Sequence, residues 1–129
     1  MASPTPVVAA VIRRGDSVLL GLRPEGKRHA STWEFPGGKV LDGESFAAAL
    51  ARELREELRV SLVRAGESMF AARDPGSRFE IHFVPVEIEG DPRALEHGEL
   101  RWVPVSELGS LALAPADARF AKEGLGNDG

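Results

Sequence analysis

Hydrophobic runs near the start of the chain predict a β-hairpin. Residues 7–13 and 17–23 are rich in valine, isoleucine and leucine, and the arginine, glycine and aspartate at 14–16 between them have the composition of a turn. Residues 24–32 are polar and contain glycine and proline, which is typical of a loop. Aromatic residues return at 33–35, where we expect a further short strand.

The spacing of apolar residues changes in the middle of the chain and predicts a helix over residues 45–58. Apolar side chains recur there at every fourth position: Phe46, Leu50, Leu54 and Leu58. A helix places such residues on one face, which we expect to be buried. Ser45 stands where its hydroxyl can accept a hydrogen bond from the first helical turn, so we expect it to be the N-cap.

After this helix the chain returns to the pattern of strands. Residues 60–73 are predicted to be extended, 74–77 have the composition of a turn, and 79–86 alternate in the manner of a half-buried strand. Pro85 lies within this strand and predicts an edge position or a bulge, because proline has no backbone N–H to donate.

Shorter elements are predicted toward the end of the chain. A loop at 90–98 leads into a strand at 100–103 and a helical turn at 104–108, and a closing helix is expected at 116–122. Residues 124–129 lie at the end of the chain, where we expect a frayed, flexible tail. Because strands dominate and one long helix lies mid-chain, the sequence predicts an α+β domain with a mixed β-sheet.

The composition indicates a single domain over residues 1–129. A chain of 129 residues is long enough for one hydrophobic core and too short for two. It has no cysteine, which excludes disulfides and a thiol nucleophile and is compatible with a reducing cytoplasm. No apolar run approaches the length of a membrane span, so we expect a cytoplasmic protein without a membrane partner.

Charge narrows the possible ligands further. The formal net charge of -4, with no long basic stripe, argues against a nucleic acid polymer as partner.

Within the predicted helix, Glu53, Glu56 and Glu57 share one face at i, i+3 and i+4, where like charges repel. Such a face is either simply solvated or gathers around a cation, and converging carboxylates suit Mg²⁺ or Mn²⁺ better than zinc.

These acidic residues belong to a longer pattern that resembles the signature of the Nudix hydrolases. Gly38 is followed after five residues by Glu44 and, after seven more, by Arg-Glu-Leu-Arg-Glu-Glu-Leu at 52–58. Every signature position matches except Arg59, where the family has glycine. Glycine after a helix serves a left-handed turn, so arginine should cost about 1 kcal/mol or force a different exit. The resemblance implies a Nudix-like α/β/α sandwich with a mixed sheet.

The resemblance also implies a site for a divalent cation, Mg²⁺ or alternatively Mn²⁺. The implied metal ligands are one backbone carbonyl and four carboxylates: Gly38, Glu53, Glu56, Glu57 and Glu96. Gly37 and Gly38 would let the backbone approach this site closely; a simple tight turn after Pro36 is the other interpretation, and both can hold together. Arg52 matches the residue that orients a glutamate through a charge-assisted hydrogen bond.

Glu44 is either a catalytic residue outside the ligand set or a structural cap. The missing glycine at position 59 carries no ligand atom, so the resemblance leaves the metal chemistry intact.

One member of the implied ligand set comes from the loop ahead of Trp102. Its distance from that tryptophan favours Glu96 over Glu99, although either could be a solvated loop residue. By analogy with the family, Glu53 or Glu96 would take the proton from the attacking water. His97 is expected at the surface without a catalytic role.

Residues 33–39 are similar to the MutT-type branch of the family, which hydrolyses nucleoside triphosphates, including oxidised ones. Arg23 and Lys39 would then contact substrate phosphates, or they are simply solvated. Phe35 and Phe79 either pack against the base or lie in the core.

Residues 113–117 resemble the segment with which that branch reads the edge of the base. An ionised Asp117 can only accept hydrogen bonds, so it could read the amino group of cytosine or ring N–H groups of a purine. The alternative is that Asp117 caps the closing helix.

The resemblance therefore implies a Mg²⁺-dependent enzyme that converts a nucleoside triphosphate into a nucleoside monophosphate and pyrophosphate. The alternatives within enzymes are cleavage of 8-oxo-dGTP, of CTP or dCTP, or of an ADP-ribose-type nucleoside diphosphate. Outside enzymes they are a non-catalytic nucleotide sensor and a structural module. The expected partner is a small nucleotide, and the protein is expected to be a monomer or a homodimer.

Overall fold

A computed structural model describes residues 3–27 and 30–125 of the chain. Within these residues, eight strands alternate with short loops: β1 Thr5–Arg14, β2 Ser17–Leu22, β3 Trp33–Glu34, β4 Gly37–Lys39, β5 Ser61–Ala65, β6 Phe70–Ala72, β7 Phe79–Glu89 and β8 Glu99–Pro104. The predicted hairpin and the later strands are confirmed in place, with ends that differ by one to three residues. The predicted extended region at 60–73 divides into β5 and β6.

Two helices and two helical turns complete the described part of the fold. They are α1 Phe46–Leu58, a 3₁₀ turn Val105–Ser110, α2 Pro115–Phe120 and a π-helical turn Ala121–Leu125. The prediction of a frayed tail is wrong for Gly124 and Leu125, since both belong to the last turn and Leu125 is buried in the core. The rest of that predicted tail, residues 126–129, lies outside the described residues. No helix in the described ranges is long and apolar enough to cross a membrane.

The strands form a mixed sheet in which β1 is central. It runs parallel to β7 from Thr5 to Ile12 and antiparallel to β2 and β4. β7 in turn pairs with β5 and β6, while β2 pairs with β3 and β8. The α+β class with a mixed sheet is confirmed.

Alternation along β1 divides the core into two layers. Val8 and Ala10 pack on one face together with Leu50, Leu54 and other apolar residues of α1. Ala9 and Val11 face the opposite way, into a layer that contains the aromatic rings near α2. Because successive side chains of a strand point to opposite faces, one strand can join both layers. The sheet is therefore covered by α1 on one side and by α2 on the other.

The glycines after Pro36 belong to strand β4, so the alternative of a simple tight turn is wrong. Gly37 pairs with Ala9 of β1, and Gly38 pairs with Val8. Gly37 has a φ of 154°, and a Cβ atom there would overlap the carbonyl oxygen of Val8. Glycine is therefore needed for the close approach of the two backbones.

Pro85 lies in the interior of the sheet, so the prediction of an edge position is wrong. On one side of β7 it is paired with Val11 of β1. On the other side its carbonyl accepts a hydrogen bond from Gly66 at 2.8 Å, just where β5 ends. β6 takes over from Phe70. The sheet accommodates the missing N–H because the neighbouring strand is interrupted opposite the proline.

Both ends of α1 have specific caps. Ser45 is the N-cap, and its hydroxyl accepts a hydrogen bond from the backbone N–H of Ala48 at 3.0 Å. At the other end Arg59 has φ 58° and ψ 38°, and its N–H donates to the carbonyl of Arg55 at 3.1 Å. Arginine thus takes the left-handed conformation that favours glycine, and the helix does not find a different exit.

We predict that Arg59→Gly raises the free energy of unfolding by up to about 1 kcal/mol, because glycine has no Cβ penalty in the left-handed conformation. Urea unfolding followed by circular dichroism measures the change. Arg59→Ala is the control, since it removes the charged side chain but keeps the Cβ atom, and it should not raise stability. Equal stabilisation by both variants would show that the side chain, and not the backbone conformation, is responsible.

Candidate active site

Arg52 connects α1 to the loop that precedes it. Its Nε and Nη2 donate to the two carboxylate oxygens of Glu44, each at 2.9 Å, and Nη2 also donates to the carbonyl of Lys39 at 3.0 Å. Its Nη1 donates to Oε1 of Glu53 at 2.7 Å. Hydrogen bonds from Arg52 and from the N–H of Leu41 lower the pKa of Glu44 to about 2. Glu44 is therefore ionised and rigidly held.

Glu53 lies directly against the backbone of β4. A Cβ atom at Gly38 would be 2.5 Å from the carboxyl carbon of Glu53 and 2.6 Å from both its oxygens. Any side chain at position 38 would displace this carboxylate. The glycine of the signature thus makes room for the carboxylate of Glu53.

Glu57 is the buried carboxylate of α1. The residue is 4% exposed, and its Oε2 has no hydrogen-bond partner within the described part of the chain. Burial raises the pKa of Glu57 well above its usual range, and the neighbouring carboxylates of Glu53, Glu34 and Glu96 raise it further. A buried oxygen without a partner is unfavourable, so this position favours a proton or a cation beside it.

Four glutamates line one small cleft of about 190 Å³. Its wall is formed by the following residues: Arg23, Pro24, Lys27, Glu34, Gly37, Glu53, Glu57, Glu96 and His97. Among residues 3–27 and 30–125, no three acidic or histidine side chains already form a closed ligand set for a metal ion. The cleft therefore brings the carboxylates together, but they do not yet converge on one position for a metal ion.

Three predicted or alternative ligands are not among the residues that line this cleft: Gly38, Glu56 and Glu99. The side chain of Glu56 is 52% exposed and lies 3.7 Å from Nη1 of Arg52. The side chain of Glu99 is directed to Arg101 at 3.5 Å. Of the two glutamates flanking His97, the structure therefore brings only Glu96 to the cleft wall. The metal-binding roles of Glu56 and Glu96 stay predictions.

His97 and Glu34 are members of the cleft that sequence reasoning did not identify. The expectation that His97 lies at the surface is wrong, because its side chain is only 3% exposed. Its Nε2 is 2.9 Å from Oε2 of Glu34, whose Oε1 accepts from Nη1 of Arg23 at 2.8 Å. Burial opposes ionisation of Glu34, but the hydrogen bonds from His97 and Arg23 prevail and lower its pKa. No pattern in the chain indicates this pairing, since neither residue belongs to the spaced signature.

A second cavity of about 360 Å³ adjoins the acidic cleft. Arg23, Glu34 and Gly37 line both spaces. The larger cavity extends from these shared residues past β1 and β4 to the start of α2, and most of its remaining lining is apolar. Its size and position suit a compact, partly apolar ligand whose charged end reaches the cleft.

The predicted substrate residues line this second cavity. Phe35 is 3% exposed and packs edge-on against Phe83 and Phe120, so it is mainly a core residue that contributes one wall. Phe79 is half-buried, with the ammonium of Lys39 5.0 Å from its ring centre. Both lie in the lining together with Arg23, as predicted for a nucleotide pocket, but their contacts with a ligand stay predictions.

Asp117 occupies the far end of the cavity. The alternative that it caps the closing helix is wrong, because Ala114 is at the N-cap position of α2 and makes no side-chain cap. Instead Oδ2 of Asp117 accepts a hydrogen bond from the backbone N–H of Phe35 at 2.8 Å. Burial raises the pKa of Asp117 to about 8, although the Phe35 N–H favours the ionised form. Burial thus favours the protonated form, which can donate as well as accept, whereas the interpretation of the sequence assumed an ionised Asp117 that only accepts.

The cleft fits a divalent cation by the chemistry of its donors. Its carboxylates are hard oxygen ligands, and no cysteine is present in the chain. The buried oxygen of Glu57, which has no partner among the described residues, is the position where a cation would replace a proton. Positive charge in the cleft would also allow a phosphate group to approach these acids.

Comparisons with known proteins find relatives of this chain in both sequence and structure. The family model described as NUDIX domain matches residues 3–124. The CTP pyrophosphohydrolase of Escherichia coli K12 is 42% identical over 115 residues, which cover 86% of this chain and 84% of that protein. The 8-oxo-dGTP diphosphatase of Haemophilus influenzae is 35% identical over 117 residues, which cover 88% of this chain and 86% of that protein. The solution structure of the E. coli ORF135 protein has a TM-score of 0.84 and 36% identity, and covers 96% of this chain and 90% of that one.

The raised pKa of Asp117 predicts a pH dependence of stability. Between its unfolded value of 3.8 and the folded value of about 8, the folded protein holds a proton that the unfolded chain releases. Unfolding then releases a proton, so this group's contribution to stability falls as pH rises through that window. Asp117→Asn keeps an acceptor for the Phe35 N–H and removes the titration.

We therefore expect the wild type to lose stability relative to Asp117→Asn as pH rises from about 4 to about 8, as measured by urea unfolding at several pH values. Other titrating groups are common to both proteins and cancel in the difference. A difference between the two proteins that stays constant across this range would contradict the raised pKa.

Proposed function

This chain belongs to the Nudix family, and on that premise we propose that it hydrolyses nucleoside triphosphates to nucleoside monophosphates and pyrophosphate. Nudix hydrolases use a divalent metal, and we propose Mg²⁺ here, with Mn²⁺ as a substitute. The substrate class extends to this chain from its similarity to the E. coli CTP pyrophosphohydrolase and the H. influenzae 8-oxo-dGTP diphosphatase.

One observation carries the proposal. The acidic cleft and the larger cavity meet at Arg23, Glu34 and Gly37. A base and sugar in the larger cavity would place the phosphates beside the buried carboxylate of Glu57. The larger cavity has the character of a nucleotide pocket, and the cleft beside it contains a cluster of candidate cation ligands. A protein that used only one of these spaces would not need the other next to it.

The residues in and around the cleft have distinct proposed roles. Glu53 and Glu57, with the carbonyl of Gly38 and with Glu56 and Glu96 as further candidates, would hold the cation. A bound divalent cation neutralises phosphate charge and lowers the pKa of a coordinated water. Arg52 keeps Glu53 and Glu44 in place through its hydrogen bonds. Glu53 or Glu96 would accept the proton of the attacking water, and Arg23 would contact phosphate oxygens.

Asp117 supports a second candidate, a preference for cytosine nucleotides. Its carboxyl group faces the far end of the larger cavity, and the Phe35 N–H occupies one of its oxygens. A protonated carboxyl group can donate to a ring nitrogen and accept from an amino group, and cytosine presents these groups side by side on one edge. Guanine and 8-oxoguanine present a different order of donors and acceptors, so the two substrates are distinguishable by measurement.

A non-catalytic nucleotide sensor has less support in the structure than an enzyme. A sensor has no need for a cluster of water-activating carboxylates, whereas this cleft retains them. We also propose that the chain acts as one domain on a small nucleotide. A monomeric or homodimeric state, a cytoplasmic location and the absence of a nucleic acid partner stay predictions.

The proposed activity predicts release of pyrophosphate, and not of phosphate, from nucleoside triphosphates in the presence of Mg²⁺. A panel of CTP, dCTP, dGTP, 8-oxo-dGTP and ADP-ribose, assayed with Mg²⁺ and with a chelator, measures both product and preference. Faster turnover of cytosine nucleotides would support the role of Asp117. If no phosphoanhydride in the panel is hydrolysed, the sensor becomes the better interpretation.

Glu57→Gln should reduce turnover by about a hundredfold or more while the protein still folds, because the amide cannot replace a charged ligand in the cleft. Steady-state kinetics and circular dichroism measure the two effects. Glu99→Gln is the matched control: it makes the same chemical change two residues beyond the buried His97, at a glutamate outside the cleft. Near-normal turnover of the Glu57 variant would exclude Glu57 from the metal site.

A further inference from the structure

His97 is buried although the loop around it is exposed. Residues 93–96 and 98–99 are all open to solvent, whereas the imidazole between them points inward. The backbone holds this direction through two hydrogen bonds. The N–H of Leu95 donates to the carbonyl of Glu57 at 3.1 Å, and the N–H of Gly98 donates to the carbonyl of Leu22 at 3.0 Å. An inward histidine in a solvated loop needs a reason beyond the packing of the loop itself.

The sheet contains a space made for this ring. A Cβ atom at Gly21 would lie 2.5 Å from two ring carbons of His97 and 2.8 Å from Nε2. Gly21 lies inside β2, where its backbone is paired with Glu34 on one side and Leu100 on the other. Glycine weakens the interior of a strand, so its presence here is explained by the ring that lies against it.

The hydrogen bonds of His97 define what the ring does. Its Nδ1 is buried and has no partner among the described residues, so the proton is assigned to Nε2. Nε2 then donates to Oε2 of Glu34 at 2.9 Å and lies 3.7 Å from Oε1 of Glu57. The opposite oxygen of Glu34 accepts from Arg23. A continuous chain of hydrogen bonds therefore runs from His97 through Glu34 to Arg23.

We propose that His97 is a positioning residue for the substrate. It holds Glu34, and through Glu34 it holds the guanidinium of Arg23 at the place where the larger cavity meets the acidic cleft. The inference rests on the proposed function, since the ligand that Arg23 would contact is a nucleotide phosphate. His97 itself touches no reacting group. It acts by restricting the movement of the Glu34 carboxylate, which without His97 would be held on the Arg23 side only.

The position of Glu34 makes this role consequential. Its side chain is about one-fifth exposed and lines both cavities, as does Arg23. A guanidinium held by a charge-assisted hydrogen bond has a fixed orientation. Loss of the bond from His97 should therefore loosen the contact with phosphate more than it slows the chemical step.

Three variants separate this role from simple packing. His97→Leu fills the space but removes the donor. His97→Gln places an amide N–H near the position of Nε2 and should restore the bond to Glu34. Gly21→Ala leaves the histidine unchanged and displaces its ring, because the new methyl group occupies the same space. His82→Leu is the matched control, since His82 is also bonded to a glutamate, Glu80, at 2.9 Å but lies outside both cavities.

The first measurement is steady-state kinetics on the nucleotide that the wild type cleaves best. His97→Leu and Gly21→Ala should each raise KM by about tenfold, with a smaller change in kcat, as expected for loss of a hydrogen bond to a charged group. His97→Gln should stay within about threefold of the wild type, and His82→Leu should match it. Binding of the α,β-methylene analogue of that nucleotide, measured by calorimetry, should weaken in the same order without any turnover.

A double-mutant cycle tests whether His97 acts through Glu34. Once Glu34→Gln has been introduced, addition of His97→Leu should weaken analogue binding by no more than about twofold, because the group it positions has been changed already. Full additivity of the two effects on binding would overturn the proposal. So would an equal loss of binding in His97→Leu and His97→Gln, which would indicate that only the shape of the ring matters.

These outcomes are distinct from those of the proposed function. A wild-type protein that hydrolyses nucleotides, with a His97→Leu variant of unchanged KM and unchanged analogue affinity, would overturn the positioning role and leave the enzymatic function standing. A wild-type protein that neither cleaves nor binds any nucleotide of the panel would overturn both.

Discussion

Repulsion between carboxylates is the constraint on which the cleft depends. Four glutamates, at positions 34, 53, 57 and 96, surround a space of about 190 Å³, and one of them is almost fully buried. Such a group is stable only if each negative charge is paired, protonated or shared with a cation. Arg52 holds Glu53, while Arg23 and His97 hold Glu34. Glu57 is left with a buried oxygen that lacks a partner among the described residues, so it is the carboxylate of the cleft at which a cation would relieve the largest desolvation.

Close backbone approaches make this concentration of charge possible. Gly38 leaves room for the carboxylate of Glu53, and Gly21 leaves room for the ring of His97. Gly37 allows β4 to pair with β1 beside them. In each case the missing side chain serves a neighbour that is distant in sequence. The glycines therefore do more than permit turns, because they allow functional side chains to lie against the sheet instead of projecting into solvent.

Local chemistry made part of this architecture predictable. The fourfold spacing of apolar residues predicted α1, and the hydroxyl of Ser45 predicted where it begins. The spaced glutamates predicted an acidic site and were tied by resemblance to the Nudix family, to which the chain belongs. Local rules were insufficient where a distant strand changes the surroundings. Pro85 is tolerated inside the sheet because the neighbouring strand breaks opposite it, and Asp117 accepts a hydrogen bond from the N–H of Phe35, 82 residues away in the chain. Neither partner can be identified from the residues next to it in the chain.

The sequence by itself determined the periodicity of the elements, the inventory of acidic ligands and the order in which they occur. These follow from rules that act over a few residues: helical spacing, capping and the repulsion of neighbouring charges. Only the tertiary structure decided which glutamates face the cleft and which face solvent, since Glu56 and Glu57 are adjacent in the chain but differ completely in burial. It also decided the pairing of His97 with Glu34, 63 residues apart. Burial and long-range hydrogen bonds depend on how strands are placed beside one another, and that information is distributed over the whole chain.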